Sequence, residues 1–197
     1  MPPLPLRFVL SAPRLQDLAP AAAEVAIIGR SNVGKSSLVN ALGGSAKLAM
    51  VSKTPGRTRL LNQFSVDDGR GGGRMVVDCP GYGYAKASAT LRHAWQHMAE
   101  EYLLERDELR NILALVDGEI GPTKLDVQLF EWLRAHERPF TVIATKHDKV
   151  KSSQREKRKR ELAAGCGVAP SEVVWVSAAK GVGIDRLRGL ILEWLAA

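Results

Sequence analysis

Gly29-Arg30-Ser31-Asn32-Val33-Gly34-Lys35-Ser36 stands between the apolar run Val25-Ala26-Ile27-Ile28 and the segment Ser37-Leu38-Val39-Asn40-Ala41-Leu42. A glycine, four residues, a second glycine, lysine and serine, set between a buried strand and a helix, reads as a phosphate-binding loop. Glycines let backbone N–H groups curl around phosphate oxygens without a Cβ clash. The helix that follows adds partial positive charge at its N-terminus. Lys35 is placed to reach the β- and γ-phosphates of a nucleotide, and Ser36 to bind Mg2+.

Working outward, apolar strands alternate with amphipathic helices. Strands are expected at residues 24–29, 60–66, 75–78, 112–116, 140–144 and 173–176. Helices are expected at 35–42, 90–106, 124–135, 152–164 and 184–195. Asp67-Asp68-Gly69-Arg70-Gly71-Gly72-Gly73 is a hairpin turn signal, and 43–56 and 80–88 read as loops. This alternation predicts an α/β fold, a doubly wound and mainly parallel sheet with helices on both faces. Residues 1–23 read as an N-terminal extension with a short strand at 7–10, and 24–197 as the nucleotide-binding domain.

The chain has 197 residues, of which 45% are hydrophobic and 25% charged, enough for a substantial core without disulfides or a structural metal. Cys79 and Cys166 are its only cysteines and read as reduced thiols. Met1-Pro2-Pro3-Leu4-Pro5-Leu6 lacks the charged and apolar regions of an export signal. No apolar run approaches the roughly 20 residues that span a bilayer. A cytoplasmic monomer without a membrane partner is expected. The net charge of +7 is concentrated between Lys149 and Arg160, where seven basic side chains face Glu156 alone. Lys151, Arg155, Arg158 and Lys159 recur at helical spacing. That stripe is either a solvated helix face or a contact for nucleic-acid phosphates.

Ligands of such sheets sit at the carboxyl ends of the strands. Met75-Val76-Val77 leads there into Asp78-Cys79-Pro80-Gly81, an acid able to hold Mg2+ through water and a glycine able to offer its N–H to a γ-phosphate. Phe140-Thr141-Val142-Ile143-Ala144 leads into Thr145-Lys146-His147-Asp148. A carboxylate at that place accepts from the N1–H and N2–H2 edge of guanine, a donor pair that adenine lacks. The stem of Lys146 covers the base face. Val176, Ser177 and Ala178 then offer backbone N–H groups to the guanine O6. The ligand predicted is GTP or GDP. A P-loop kinase fits less well, because Asp148 favours guanine and no second-substrate segment is evident.

Taken together, the phosphate loop, Thr54-Pro55-Gly56-Arg57-Thr58, Asp78-Cys79-Pro80-Gly81-Tyr82-Gly83-Tyr84-Ala85 and Thr145-Lys146-His147-Asp148 resemble the EngB (YihA/YsxC) family of translation-factor-like P-loop GTPases. The likeness runs over nearly the whole chain. It implies GTP hydrolysis, with Lys35, Thr58, Gly81 and Asn32 as the catalytic set. Thr58 is then the switch threonine that joins Ser36 and Asp78 around Mg2+. Gly56, Arg57, Thr58, Arg59 and Leu60 lie along the nucleotide, and Asp78, Cys79, Pro80 and Gly81 face the γ-phosphate. It further implies a switch in assembly of the large ribosomal subunit, acting on rRNA and ribosomal proteins, with a link to division and septation. A division factor as the main partner is the alternative. Thr145 departs from the asparagine many GTPases carry, and Cys79 from a leucine frequent in the family.

Tyr82 occupies the position where many GTPases carry a water-orienting glutamine, so hydrolysis is expected to be slow without a partner. Tyr82 and Tyr84 either stack on RNA or pin their loop. Asn32 resembles the asparagine of potassium-stimulated GTPases and otherwise simply tolerates the loop's backbone angles. His93 and His97, four apart on a helix, lack an evident third metal ligand and read as surface or packing residues.

Overall fold

The computed structural model describes residues 1–49, 60–67, 69, 73–83 and 89–197, the last range as backbone alone for 89–96. Thr54 to Arg59 and Tyr84 therefore lie outside the described residues, as do the side chains of His93 and Trp95.

Seven strands form one sheet. They are β1 (Leu6–Ala12), β2 (Ala23–Gly29), β3 (Leu61–Val66), β4 (Arg74–Asp78), β5 (Leu109–Asp117), β6 (Phe140–Thr145) and β7 (Val174–Trp175), in the spatial order β1-β3-β4-β2-β5-β6-β7. The pairs β4–β2, β2–β5, β5–β6 and β6–β7 are parallel, while β1–β3 and β3–β4 are antiparallel. The sequence signals are met at each strand within one to three residues. The segment before β2 supplies the edge of this sheet through β1.

The period of two along each central strand divides the core. Val25 and Ile27 of β2 point to one face, with Val76, Leu113 and Leu115. They meet Leu38, Val39 and Leu42 of α1 (Lys35–Gly43) and Ile184, Leu187, Ile191 and Leu195 of α5 (Ile184–Ala196). Ala26 and Ile28 point the other way, with Val77, Ile112, Ala114 and Val116. There they meet α2 (Ala89–Glu105), α3 (Lys124–Ala135) and α4 (Arg155–Cys166) through Tyr102, Leu103, Phe130, Leu133, Leu162 and Ala163. Trp132 and Trp175 pack at the margin of this second layer and Trp194 at the margin of the first.

Two boundaries differ from the periodicity. The stretch 152–154 is a 3-10 turn, and the α-helix begins only at Arg155. β7 is two residues long, because Val176 still donates to the Ala144 carbonyl while Ser177 has turned to bridge Val182. Among the described residues, no helix is long and apolar enough to cross a membrane.

Candidate functional site

At the carboxyl edge, β2 ends at Gly29. A Cβ there would lie 2.8 Å from Val33 Cγ1 and 2.9 Å from Leu115 Cβ, so only glycine lets the loop fold back onto the sheet. Two loop residues adopt left-handed backbone, Asn32 at φ 64° and Gly34 at φ 112°. Asparagine tolerates that region better than most residues, which accounts for Asn32 by conformation alone. Gly34 caps α1 without a side chain, so the first N–H groups of the helix turn toward the loop. Ser36 stands in this first turn.

Lys35 is buried, and its Nζ donates to the carbonyls of Gly29 (3.1 Å) and Arg30 (3.3 Å). Burial lowers its pKa, while the neighbouring Asp78 pulls it back up. Asp78, the last residue of β4, is 1% exposed, and among the described residues nothing hydrogen-bonds its Oδ1. Burial pushes its carboxyl up to about 6, against the pull of Lys35. An unsatisfied buried carboxylate oxygen costs on the order of 1–3 kcal/mol. Such an atom, aimed at a loop with a lysine, has the chemistry of a site completed by a hydrated cation. Cys79 is wholly buried in the second core layer, and burial holds its thiol well above the usual range, so it is packing and not a nucleophile.

The segment after Asp78 runs over the loop. Ser31 N donates to the Tyr82 carbonyl at 2.9 Å, and Arg30 and Tyr82 form an isolated parallel bridge. The Tyr82 hydroxyl donates to Asp126 Oδ1 at 2.7 Å. Of the two readings of Tyr82, this contact favours the pinning one.

The base-recognition half is built from the ends of β6 and β7. Thr145 is buried, and its hydroxyl lies 2.7 Å from the Val33 carbonyl and 3.1 Å from that of Val116. Its single proton can tie the phosphate loop to β6 through the nearer Val33 carbonyl, one of the two bonds that an asparagine amide could donate there. Lys146, left-handed at φ 56°, donates to Asp117 Oδ2 at 2.6 Å. His147 N donates to the Val176 carbonyl, and the His147 ring meets Trp175 edge-on at 5.7 Å. Ser177 Oγ donates to Asp148 Oδ1 at 2.6 Å and accepts from Lys180 N at 3.1 Å. The Ser177 hydrogen bond holds the Asp148 carboxyl below its ordinary range. Ala178 lies in the turn that follows.

Arg155, Arg158 and Lys159 share one side of α4, and Lys151 is exposed just before it. Arg155 Nε donates to the Val150 carbonyl, Lys159 pairs with Glu156 at 2.8 Å, and Arg158 lies 3.8 Å from Glu161. Burial, followed by the charges of Arg155 and Lys159, lowers the pKa of His147, so the basic stripe adjoins the base-recognition loop.

The structure thus brings together the residues expected from 29–36, 78–81, 145–148 and 176–178. The N–H groups of Val176 and Ser177, however, are taken by the Ala144 and Val182 carbonyls, which corrects the expectation that all three residues serve guanine O6 and leaves the Ala178 N–H for it. Sequence reasoning missed Asp117, which anchors Lys146, and Asp126, which anchors Tyr82. The second left a signal, because Thr123-x-x-Asp126 is a capping box opening α3. The first is merely an acid ending an apolar strand.

A family profile described as "50S ribosome-binding GTPase" matches residues 24–146. The chain is 43% identical over 190 residues to the probable GTP-binding protein EngB of Pelotomaculum thermopropionicum, covering 95% of this chain and 94% of that protein. Among solved structures it resembles a probable GTP-binding protein EngB, with a TM-score of 0.71 and 26% identity over 88% of this chain and 99% of that one. It also resembles Era solved with MgGDPNP and nucleotides of 16S ribosomal RNA, with a TM-score of 0.68 and 27% identity over 89% of this chain and 57% of that one.

Proposed function

This chain belongs to the EngB family of GTP-binding proteins and is a P-loop GTPase, and we propose that it serves as a nucleotide switch in assembly of the large ribosomal subunit. Gly29, Arg30, Ser31, Asn32, Val33, Gly34, Lys35 and Ser36 cradle the phosphates with backbone N–H groups and the α1 N-terminus. Ser36, Thr58 and Asp78 would hold Mg2+, and the buried Oδ1 of Asp78, without a hydrogen-bond partner among the described residues, fits that part. When bound, the metal neutralises charge on the β- and γ-phosphates. Lys35 adds a fixed positive charge beside them, and Gly81 offers its N–H to the γ-phosphate. Asp148, oriented by Ser177, accepts from the guanine edge while the Lys146 stem, held by Asp117, covers the base.

The observation that carries the nucleotide reading is that Lys35, at the N-terminus of α1, and Asp78, at the end of β4, are both buried, with Asp78 Oδ1 lacking a hydrogen-bond partner among the described residues. Hydrolysis is slow in isolation, since the residue after Gly81 is Tyr82, whose phenol cannot orient water as an amide does. Turnover in KCl against NaCl tells whether Asn32 also holds a potassium ion; equal rates leave its φ of 64° as the whole reason for the residue.

The ribosomal part is supported by the description of the matched family and by the basic stripe of Lys151, Arg155, Arg158 and Lys159 beside the base-recognition loop. Contacts from such a stripe go to phosphates and weaken with salt. Sedimentation with large subunits or their precursors is expected in GTP and lost in GDP. Absence from the ribosomal fractions in both nucleotides overturns this reading in favour of a protein partner.

A further inference from the structure

Asp126 lies in the first turn of α3 and is completely buried. Its Oδ1 accepts from the Tyr82 hydroxyl at 2.7 Å. Its Oδ2 accepts from Thr123 N and Thr123 Oγ1, both at 2.7 Å, and faces Arg30 Nε at 3.1 Å. The Arg30 N–H is not aligned on that oxygen, so the arginine contributes charge more than a directed bond. Three parts of the molecule therefore meet on one carboxylate: the phosphate loop through Arg30, the segment after Asp78 through Tyr82, and α3 itself. A capping residue needs only the Thr123 contacts.

The same segment presses on the phosphate loop. A Cβ built at Gly81 would lie 2.7 Å from Lys35 Nζ and 3.0 Å from Ser31 N. Ser31 N is bonded to the Tyr82 carbonyl, and Lys35 Nζ to the carbonyls of Gly29 and Arg30. A γ-phosphate set against Lys35 would compete with Gly81 for the space beside Nζ. A segment lifted far enough to admit it carries the phenol out of reach of Asp126, since a hydroxyl–carboxylate bond does not survive a shift of even about 1 Å beyond its usual length.

We propose that Tyr82 and Asp126 form a latch that holds the segment from Cys79 to Tyr82 down on the phosphate loop and so sets the preference of this GTPase between GDP and GTP. Asp126 acts as a positioning residue, through Tyr82. The bond is made in the lowered conformation and broken in the raised one, so it favours GDP over GTP by its own worth and leaves the GDP complex untouched. A hydrogen bond to a buried carboxylate shifts such an equilibrium roughly tenfold. In the latched conformation the phenol is a donor, because burial and the neighbouring Asp126 charge raise its pKa.

The inference rests on the nucleotide reading above, and the test separates the two. Binding of GDP and of a non-hydrolysable GTP analogue is measured by calorimetry on the full chain, wild type and Tyr82→Phe. The expected result is an analogue affinity raised about tenfold with GDP affinity within twofold of wild type. Asp126→Asn, which keeps the shape and an acceptor for Thr123, is expected to move the ratio the same way, and the double variant no further than Tyr82→Phe alone. A purely structural role lowers the melting temperature and both affinities together. An unchanged ratio in Tyr82→Phe overturns the latch while the nucleotide site stands. A wild-type chain that binds neither nucleotide overturns both.

Discussion

The two ends of the β2–β4 strand pair carry buried acids in opposite circumstances. At the amino end, Glu24 is fully buried, with Oε1 accepting from Gln63 Nε2 (3.0 Å) and Arg106 Nη2 (2.8 Å) and Oε2 from the Tyr102 hydroxyl (2.9 Å). Gln63 is itself closed by the Ala19 backbone, in both directions. At the carboxyl end, the equally buried Asp78 of the neighbouring strand has Lys35 nearby and, among the described residues, no hydrogen bond to Oδ1. A buried carboxylate whose lone pairs are answered by the protein is a staple, here joining β2, β3 and α2. One left unanswered at a strand's carboxyl end is a binding site in waiting, and the fold carries its cost because a ligand returns it.

The contrast breaks first at Glu24. Replacing it with alanine leaves Arg106 and Tyr102 buried without their acceptor, and a broken buried pair costs about 3–5 kcal/mol. The melting temperature of Glu24→Ala should fall steeply, while the fraction that remains folded keeps its affinity for GDP. A loss of unfolding free energy of less than about 1 kcal/mol means that the amino-end cluster is not a staple.

Asp78→Asn gives the converse. With a folded-state pKa of about 6 against an ordinary 3.8, the folded protein binds more protons than the unfolded chain between those values. Stability due to this group is therefore greatest below pH 4 and is lost as pH rises to 6. The wild-type minus variant stability should fall by on the order of 1–3 kcal/mol over that window, a slope that other titrating groups do not enter. The variant should also lose most of the stabilisation that Mg2+ and GDP confer on the wild type. A flat difference profile between pH 4 and 7 breaks the comparison from the other side.

How far these ends were legible in the sequence follows from how local their geometry is. The phosphate loop, Asp78–Gly81 and Thr145–Asp148 are contiguous strings whose spacing is itself the constraint, and each falls at the end of a parallel strand as expected. The alternation of strands and helices was equally legible, because each core-facing residue repeats with the period of its element. Glu24 was not, since its partners Gln63, Tyr102 and Arg106 are 39 to 82 residues away and only the fold gathers them. The 44 residues between Tyr82 and Asp126 hid the latch in the same way. The pinning of Thr145 to Val33, 112 residues apart, explains why threonine serves where asparagine is usual.

Asp148 falls between the two cases, and the smallest effect tests that placing. Ser177 answers its Oδ1 from within the protein, yet the carboxylate lies only partly buried at the sheet edge, where a ligand can reach it. Two consequences separate. Asp148→Asn replaces an acceptor by a donor opposite the guanine N1–H, so GTP should weaken by about 1–3 kcal/mol while a xanthine nucleotide strengthens. Ser177→Ala leaves the charge in place and removes only what aims it. GTP should then weaken by about 1 kcal/mol, roughly fivefold, with no gain for xanthine. The Asp148 carboxyl should move up toward its ordinary range, since the Ser177 bond is the largest influence lowering it. Inosine triphosphate, lacking the N2 amine, sharpens the reading: a carboxylate no longer aimed discriminates less between the two bases, so the GTP-to-ITP ratio measured by calorimetry should shrink in Ser177→Ala. A ratio equal to wild type makes Ser177 a loop residue only, and moves Asp148 to the unanswered class that Asp78 defines.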